Sequence, residues 1–200
     1  MKVGYRQAMP VGTAERAFAA AAEDDGIVLS RARVPWLNQR GHLGLPDEAF
    51  TACAHLARIF DALGGHGEEQ AAKRLISLPG DFFHEPTGTF IEIDEFQHFT
   101  THRRRALELY PASAPLGFDR VSYLALCDEL ASRADKYLAS KAAVGFGDGG
   151  RQRQRAYHDA LRDLAAPDLG APPVMRFPVL DGDGAAAYER SRAHLRHLRP

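Results

Sequence analysis

Glutamate and aspartate interrupt an otherwise apolar stretch of the sequence, FIEIDEF at residues 90–96. If this stretch is a β-strand, its side chains alternate between faces, so Glu92 and Asp94 share one face. Phe90 lies on that face too, and Glu95 lies on the other. Acidic residues are depleted in strands, and a local rule broken inside a core element often marks a functional site. The strand is therefore the first candidate for a cation-binding site.

A further acid, Asp81, lies on the other side of a compact turn. The Pro-Thr-Gly sequence at 86–88 separates two predicted strands, 81–85 and 89–96. Antiparallel pairing would bring Asp81 opposite Ile93 or its neighbour, close to the acids of the second strand. Converging carboxylates repel and raise the pKa of at least one of them. A hard divalent cation would remove this conflict, because such ions take oxygen ligands and also hold phosphates. The alternative is an exposed strand whose polar face is simply acidic.

The remaining sequence predicts a sheet accompanied by many helices. Helical periodicity and helix-boundary residues predict helices over 13–25, 46–65, 66–78, 101–111, 117–140, 151–165 and 185–198. A late strand is predicted at 172–180, and 26–34 is predicted as a strand or an extended segment. Phe50 and Val121 are expected at apolar positions of the second and fifth helices. Helices, a hairpin, further helices and a last strand indicate an α/β or α+β fold in place of a helical bundle.

The composition is that of a globular protein. The 200 residues suit a single domain over 1–200, and 45% are hydrophobic and 26% charged. No apolar run approaches the roughly 18 residues that a membrane span requires, and residues 1–18 lack the hydrophobic region of a secretory signal. Cys53 and Cys127 are expected to be small buried side chains in a reducing compartment, with a disulfide as the alternative. These features predict a cytoplasmic protein with no membrane partner.

The basic residues are clustered although the net charge is only −1. The clusters are HRRR at 102–105, RQRQR at 151–155 and a longer stretch at 190–199. Each cluster alone is expected to be a solvated helix face, but clusters on the same side as an acidic metal site would form a surface for substrate phosphates. The candidate contacts to a nucleic-acid backbone are Arg103, Arg104, Arg105, Arg151, Arg153 and Arg155.

The stretch PGDFFHEPTGTFIEIDEFQHF at 79–99 resembles the active-site hairpin of the PD-(D/E)XK, or restriction-endonuclease-like, nuclease superfamily. It is most similar to the very-short-patch-repair-like branch, whose pattern is D…(I/V)E(I/V)D…QH. The resemblance implies an α-β-β-β-α-β core with a mixed sheet flanked by helices, and an endonuclease that cleaves phosphodiester bonds with Mg²⁺ or Mn²⁺. It also implies that Asp81 and Glu92 are metal ligands and that Gln97 and His98 are the QH pair.

The sequence departs from the superfamily pattern in three respects. Glu95 stands where the branch usually has a small residue. Asp94 stands where the broader motif has Lys, so the usual catalytic ammonium group is missing from the strand. Gln97, His98 or Lys73 could replace it. A helical insertion over 100–150 also separates the hairpin from the helix that normally follows it, and this insertion could bind substrate, form a dimer or cap the site.

The predicted reaction is in-line hydrolysis at phosphorus, with DNA expected as the substrate in preference to RNA. Asp81 and Glu92 would hold the ion, which lowers the pKa of bound water. His98 is the candidate to position or deprotonate this water, because its ordinary pKa lies nearest neutrality. Glu69 could be a further metal ligand, or simply an acid in the first turn of a helix. A homodimer would suit double-strand cutting.

A different ribonuclease chemistry is one alternative. Arg153 and His158 fit R-x4-H, a pair that resembles the motif of the HEPN ribonucleases, which are all-helical dimers. Arg192 and His197 repeat the same spacing, which shows how readily an arginine-rich helix produces it. This alternative predicts cleavage of RNA without a metal ion.

The same hairpin can also be interpreted in two different ways. His84, Glu92 and His98 could together ligate a transition metal. A nuclease-like domain without the motif Lys could also be a catalytically inactive module that binds nucleic acid or a protein. In that case the insertion over 100–150 would be the partner surface.

Overall fold

A computed structural model describes residues 12–34 and 36–199 of the chain. The strands are β1 (Ser30–Arg31), β2 (Phe82–His84), β3 (Thr89–Glu95) and β4 (Met175–Val179). They form one sheet in the order β1-β2-β3-β4. β2 pairs antiparallel with β1 and with β3, whereas β3 and β4 are parallel, so the sheet is mixed.

Helices flank this sheet, as the sequence predicts. They are α1 (Thr13–Asp24), α2 (Phe50–Ala62), α3 (Gly67–Ala71), α4 (Thr101–Glu108), α5 (Arg120–Ala134), α6 (Arg151–Asp168) and α7 (Gly184–Ser191). Short 3₁₀ segments lie at Gly41–Gly44, Asp47–Ala49, Phe96–His98 and Arg196–Leu198. The predicted mixture of helices and strands is confirmed.

The two faces of β3 meet different surroundings. On one face, Ile91 and Ile93 pack with Phe18 of α1 and Tyr188 of α7 in an apolar cluster. On the other face, Phe90 packs near Ala166 of α6. β3 also has a neighbouring strand on each side, so almost all of its residues are buried. The acids on the α6 face therefore lie inside the protein.

A second apolar core lies among α2, α4, α5 and α6. It includes Leu56, Leu107, Tyr123 and Leu161, one from each of these helices. α4 and α5 belong to the predicted insertion over 100–150. Their packing against α6 makes this segment part of the core, and therefore fixes how its side chains meet the sheet.

Several predicted helices are shorter than expected. The helix predicted at 46–65 begins with a 3₁₀ turn, and Phe50 is 78% exposed at the start of α2. Phe50 lies about 120° around the helix from the buried Leu56, so its prediction as an apolar-stripe residue was wrong. Val121 is 74% exposed, so its prediction as an apolar position of the fifth helix was also wrong.

The predictions about thiols and membranes have separate outcomes. Cys53 and Cys127 are free, with Cys127 buried and Cys53 half-buried. Within the described residues, no helix is both long enough and apolar enough to cross a bilayer. The prediction about a secretory signal concerns residues 1–18. Of these, residues 1–11 lie outside the described residues.

Candidate functional site

The hairpin brings Asp81 and Glu92 together. Phe82 pairs with Ile91, so the register continues to place Asp81 opposite Glu92, one position from the predicted partner Ile93. Asp81 Oδ2 accepts a hydrogen bond of 2.8 Å from the backbone N–H of Ile93. Glu92 Oε1 accepts one of 3.3 Å from the N–H of Asp81. Each carboxylate is thereby held by a backbone N–H group from the other side of the hairpin.

Both of these acids hold their protons more tightly than usual. Burial raises the pKa of Glu92 to about 7, because Glu92 is only 4% exposed, and the nearby charge of Asp81 acts in the same direction. Burial also raises the pKa of Asp81. The positive charge of Arg162 opposes both shifts. A cation that approached these carboxylates would therefore favour their ionised forms.

Arg162 is a positive charge that the sequence did not predict at this position. It projects from α6, and its Nε lies 3.2 Å from Glu92 Oε1. Its Nη2 donates to the carbonyl of Pro79 at 2.6 Å, next to the start of the hairpin. The buried Nε has no well-directed hydrogen bond among the described residues. Arg162 thus supplies, from a helix, a cation beside the acids of the strand.

Gly80 packs closely against Glu92. A Cβ at Gly80 would lie 2.7 Å from Glu92 Oε1 and 3.0 Å from the Cβ of Ala32. Contacts this short are not tolerated without movement of one group. The missing side chain of Gly80 therefore allows the Glu92 carboxylate to pack against the backbone at this position.

We expect Gly80→Ala to lower the free energy of unfolding by about 1–3 kcal/mol, because the added methyl group presses on Glu92 and Ala32. Gly67→Ala is the matched control. A Cβ at Gly67 meets nothing within 4 Å, so that variant should be neutral or slightly stabilised. Chemical denaturation of both variants at neutral pH measures the difference. Equal stabilities would mean that the Glu92 carboxylate and Ala32 can move away from the added methyl group at no cost.

Asp94 faces the same side as Glu92 but is already fully engaged. Arg176 of β4 donates from Nη1 to both carboxylate oxygens of Asp94, at 3.0 and 3.1 Å. The hydroxyl of Tyr123 donates to Asp94 Oδ2 at 3.1 Å, and His98 Nδ1 lies 3.2 Å from Oδ1. Asp94 therefore acts as the centre of a buried ion network, and not as an open ligand.

The same network continues into α4 and α6. Arg176 Nε donates to Asp163 Oδ1 at 2.7 Å. The other oxygen of Asp163 accepts from Arg103 Nη2 at 2.8 Å and from the Tyr110 hydroxyl at 2.7 Å. All of these groups are buried. Because Arg103 is inside this network, its guanidinium is not at the surface where the predicted contact to a nucleic-acid backbone requires it.

His98 lies between two carboxylates. Its Nδ1 is 3.2 Å from Asp94 Oδ1 and 3.4 Å from Asp159 Oδ2. Burial by itself lowers the pKa of His98, but the charges of Asp94 and Asp159 outweigh it and raise that pKa. A raised pKa favours the imidazolium form, which cannot accept a proton. His98 is therefore less suited to deprotonate water than the sequence predicted.

Gln97 contacts a different acid. Its side-chain nitrogen donates to Glu95 Oε2 at 2.6 Å, on the face of β3 opposite to Glu92. Glu15 of α1 also belongs to this side, because Asp81 and Glu95 are among the charges that add to burial in raising its pKa. Its Oε2 is buried without a hydrogen-bond partner among the described residues. Glu15 is a further acid near Asp81 that the sequence did not predict here.

Glu69 makes its contacts elsewhere. Its Oε2 accepts from the N–H of Gly145 at 2.8 Å, and its Oε1 lies 3.2 Å from His66 Nδ1. These contacts tie α3 to the loop before α6, which is a structural role. Within residues 12–34 and 36–199, no group of three or more His, Cys, Asp or Glu side chains has the arrangement of a metal site.

The other arginines predicted to contact phosphates lie in different environments. Arg104 forms ion pairs with Glu108 and Asp128, and Arg105 is exposed. Arg153 donates to the carbonyl oxygens of Phe146 and Asp148, which holds the loop before α6. Arg105 is left more open to solvent than Arg103, Arg104 or Arg153.

Arg151 and Arg155, both near the start of α6, are the last two arginines predicted to contact phosphates. Arg155 donates to the carbonyl of Gln97 at 3.0 Å, which joins α6 to the end of the hairpin. Arg151 donates to Gln154 Oε1 at 2.8 Å and is only half-buried. Arg151 therefore keeps a guanidinium near the surface.

The sequence profile of a family of unknown function, DUF7255, matches residues 58–197. The chain belongs to this family. The matched segment of the DUF7255 chain contains the whole hairpin and the buried ion network, and it leaves out α1 with Glu15 and the strand β1. Comparison with the curated proteins and with the solved structures gives no match.

The alternative sites fare differently in the DUF7255 chain. His84 pairs with Thr89 at the turn end of the hairpin, and its Nδ1 lies 2.8 Å from Thr87 Oγ1. Glu92 lies three register positions away, so the His84–Glu92–His98 site is not assembled. Arg153 and His158 lie on one helix, but the four-stranded sheet excludes the all-helical fold that the HEPN alternative requires.

Proposed function

We propose that this chain is a metal-dependent nuclease with a restriction-endonuclease-like core, acting on DNA. The observation that carries the proposal is the pairing of Asp81 with Glu92 at the start of the hairpin, where a half-buried and a buried acid, both with raised pKa values, lie opposite each other. Strand-paired acids in this state are poised to bind a cation.

The order of elements supports the same proposal. Helix α1 is followed by β1, β2 and β3, then by α6 and β4, which is the α-β-β-β-α-β order expected for that core. The first three strands are antiparallel neighbours and the fourth is parallel to the third. α2 and α3 interrupt this order between β1 and β2, and α4 and α5 interrupt it between β3 and α6.

The carboxylate oxygens of Asp81 and Glu92 are ligands of the type that Mg²⁺ and Mn²⁺ prefer. Mg²⁺ commonly uses only one or two protein carboxylates and keeps several waters, so Asp81 and Glu92 suffice as ligands without a third acid.

The residues around the two acids have distinct roles in this proposal. The chemistry that a bound ion supplies is activation of water and neutralisation of charge on the phosphate. Arg162 contributes a fixed positive charge beside Glu92, in place of the Lys that the strand lacks. Asp94 and Arg176 hold the strand rigid through their ion pair. His98, held between two carboxylates, orients the end of the hairpin.

A second candidate is a catalytically inactive binding module. It is favoured by the ion pair between Arg162 and Glu92, because this pair already satisfies part of the charge that a metal ion would otherwise balance. In that case the hairpin would be a structural remnant. The two candidates differ in whether any phosphodiester bond is cut.

The test is cleavage of labelled single-stranded and double-stranded DNA, and of RNA, in Mg²⁺, Mn²⁺ or EDTA. We expect cleavage by the wild type with a divalent ion and none in EDTA. Asp81→Asn should reduce the rate at least about 10- to 100-fold, since it weakens a metal ligand. The asparagine oxygen can still accept from Ile93 N–H, so the fold should survive.

Asp47→Asn is the matched control, because Asp47 is an exposed acid on a 3₁₀ turn. It should cut at the wild-type rate. A folded wild-type protein that cuts none of these substrates with either ion would favour the binding module. Cleavage that persists in Asp81→Asn at the wild-type rate would remove Asp81 from the reaction.

A further inference from the structure

A cleft of about 410 Å³ lies beside the start of α6. Its walls are the segment after α3, the loop before α6 and the first turn of α6. The residues that carry the argument are Lys73, Arg74, Ile76, Lys141, Val144 and Arg151. Neither Asp81 nor Glu92 lines it, so it is distinct from the site at the hairpin.

The cleft is cationic. Lys73, Arg74, Lys141 and Arg151 line it, and no Asp or Glu is among the described lining residues. Lys73 Nζ donates to Gln70 Oε1 at 2.7 Å and Arg151 Nη1 to Gln154 Oε1 at 2.8 Å. These acceptors are uncharged amides, so they do not neutralise the positive charges of Lys73 and Arg151. An anion would find several donors converging in one place.

The acid whose charge acts on Lys73 is engaged elsewhere. The charge of Glu69 acts on Lys73, but the Glu69 oxygens accept from Gly145 N–H and contact His66. Burial lowers the pKa of Lys73, so a bound anion would favour its charged form. The cleft therefore gains from an anionic occupant.

Helix α6 connects this cleft to the acids. Arg162, which contacts Glu92, comes three turns after Arg151 on the same helix. The two arginines are separated by about 16 Å along the axis and about 20° around it, since each residue advances 1.5 Å and 100°. His158 lies between them, and burial together with the charges of Arg162, Lys73 and Arg151 lowers its pKa. Residues 156–166 of α6 are buried, so protein covers this face between the cleft and the hairpin.

The rim of the cleft is apolar. Ile76 is 50% exposed and Val144 is 62% exposed. Apolar groups beside cationic groups suit a ligand that has both phosphates and less polar sugar and base surfaces, and they add nothing for a free phosphate ion.

We propose that this cleft binds backbone phosphates of a nucleic-acid strand. The inference rests on the proposed nuclease function for the identity of its ligand. It assigns a binding role to Lys73, Arg74 and Lys141, and it gives Arg151 a defined place among the arginines suggested by sequence.

Binding in EDTA tests the cleft without cleavage. The probe is a fluorescein-labelled 20-nucleotide DNA, single-stranded or duplex, followed by anisotropy over a range of salt concentrations. Arg74→Gln combined with Lys141→Gln changes two exposed side chains and should leave the fold intact. We expect the double variant to bind about tenfold more weakly. The slope of log affinity against log salt should fall by about 0.7–0.9 for each lost phosphate contact.

Arg58→Gln is the matched control, since Arg58 is exposed on α2 and does not line the cleft. It should bind as the wild type does. An equal loss in Arg58→Gln would overturn the cleft as a site, as would unchanged binding by the double variant. Displacement of the DNA by poly-glutamate at equal charge concentration would also overturn it, in favour of an acidic protein partner.

The outcomes separate this inference from the nuclease proposal. A wild type that binds DNA through the cleft residues and cuts nothing supports the cleft and removes the nuclease. A wild type that cuts with Mg²⁺, and whose cleft variants bind and cut equally well, supports the nuclease and overturns the cleft. A wild type that binds none of the probes in EDTA overturns the cleft.

Discussion

Replacing Arg176 with alanine should lower the free energy of unfolding by about 3–5 kcal/mol, the cost of removing one partner from a buried ion network. Arg176 is fully buried and donates to Asp94 and Asp163, and it lies 3.5 Å from Asp159 Oδ1. Without it, these carboxylates remain in the interior with less positive charge beside them. The measurement is denaturant-induced unfolding followed by circular dichroism.

The control is an exposed ion pair. Arg190 lies 3.7 Å from Asp181, and its side chain is 55% exposed. Arg190→Ala should therefore cost less than about 1 kcal/mol. If Arg176→Ala does not fold, Arg176→Lys keeps the charge but loses the planar fork, and it should fold with a smaller loss. A loss below about 1 kcal/mol for Arg176→Lys and Arg176→Ala alike would mean that water reaches the network.

The central part of the fold could be predicted because its signals are local. The turn at 86–88 and the alternation in FIEIDEF predict the hairpin, which the structure confirms as β2 and β3. The register was one position from the prediction, because Phe82 pairs with Ile91. A shift of one position exchanges the faces of a strand. The prediction nevertheless brought Asp81 close to Glu92, since Asp81 also bonds to Ile93 through its carboxylate.

The partners of the acids could not be predicted in the same way. Arg162 and Arg176 are far from the hairpin in sequence and reach it only because α6 lies across the sheet and β4 pairs with β3. A signal was present in the strand VMRFPVL at 174–180, where an arginine interrupts apolar residues. An interrupted apolar strand indicates a buried charge, but it does not name the acid that pairs with it.

The predicted insertion also proves to be structural. Arg103 of α4 and Tyr123 of α5 both reach the network, through Asp163 and Asp94 respectively. Tyr110, just after α4, joins them at Asp163. Removing the segment 100–150 would expose these acids and the core beneath them. The insertion is thus needed for the fold around the hairpin, whatever partner it also contacts.

We expect His158 to make the folded protein sensitive to mild acid. Its ring is buried in α6, and burial together with the charges of Arg162, Lys73 and Arg151 lowers its pKa to about 3, with Asp159 opposing the shift. The unfolded chain binds a proton near pH 6.5, whereas the folded protein binds it only near pH 3. The stability from neutral His158 is therefore full above pH 6.5 and is lost as the pH falls toward 3.

The expected loss is about 2 kcal/mol at pH 5 and about 4 kcal/mol at pH 3. His158→Leu removes the titrating ring at similar volume. Between pH 7 and pH 5, the free energy of unfolding of this variant should therefore fall by about 2 kcal/mol less than that of the wild type. The acids with raised pKa values, Asp81 and Glu92, shift stability in the opposite direction in both proteins. The difference between wild type and variant therefore isolates His158.

An exposed histidine gives the control for this difference. His194 follows α7 and is exposed, so His194→Leu should keep the pH profile of the wild type. Denaturant unfolding at pH 7, 6 and 5 for the three proteins measures the effect. If His158→Leu loses as much stability as the wild type between pH 7 and pH 5, the ring is protonated in the folded protein. His158 would then reach solvent, and α6 would be more open there than its burial implies.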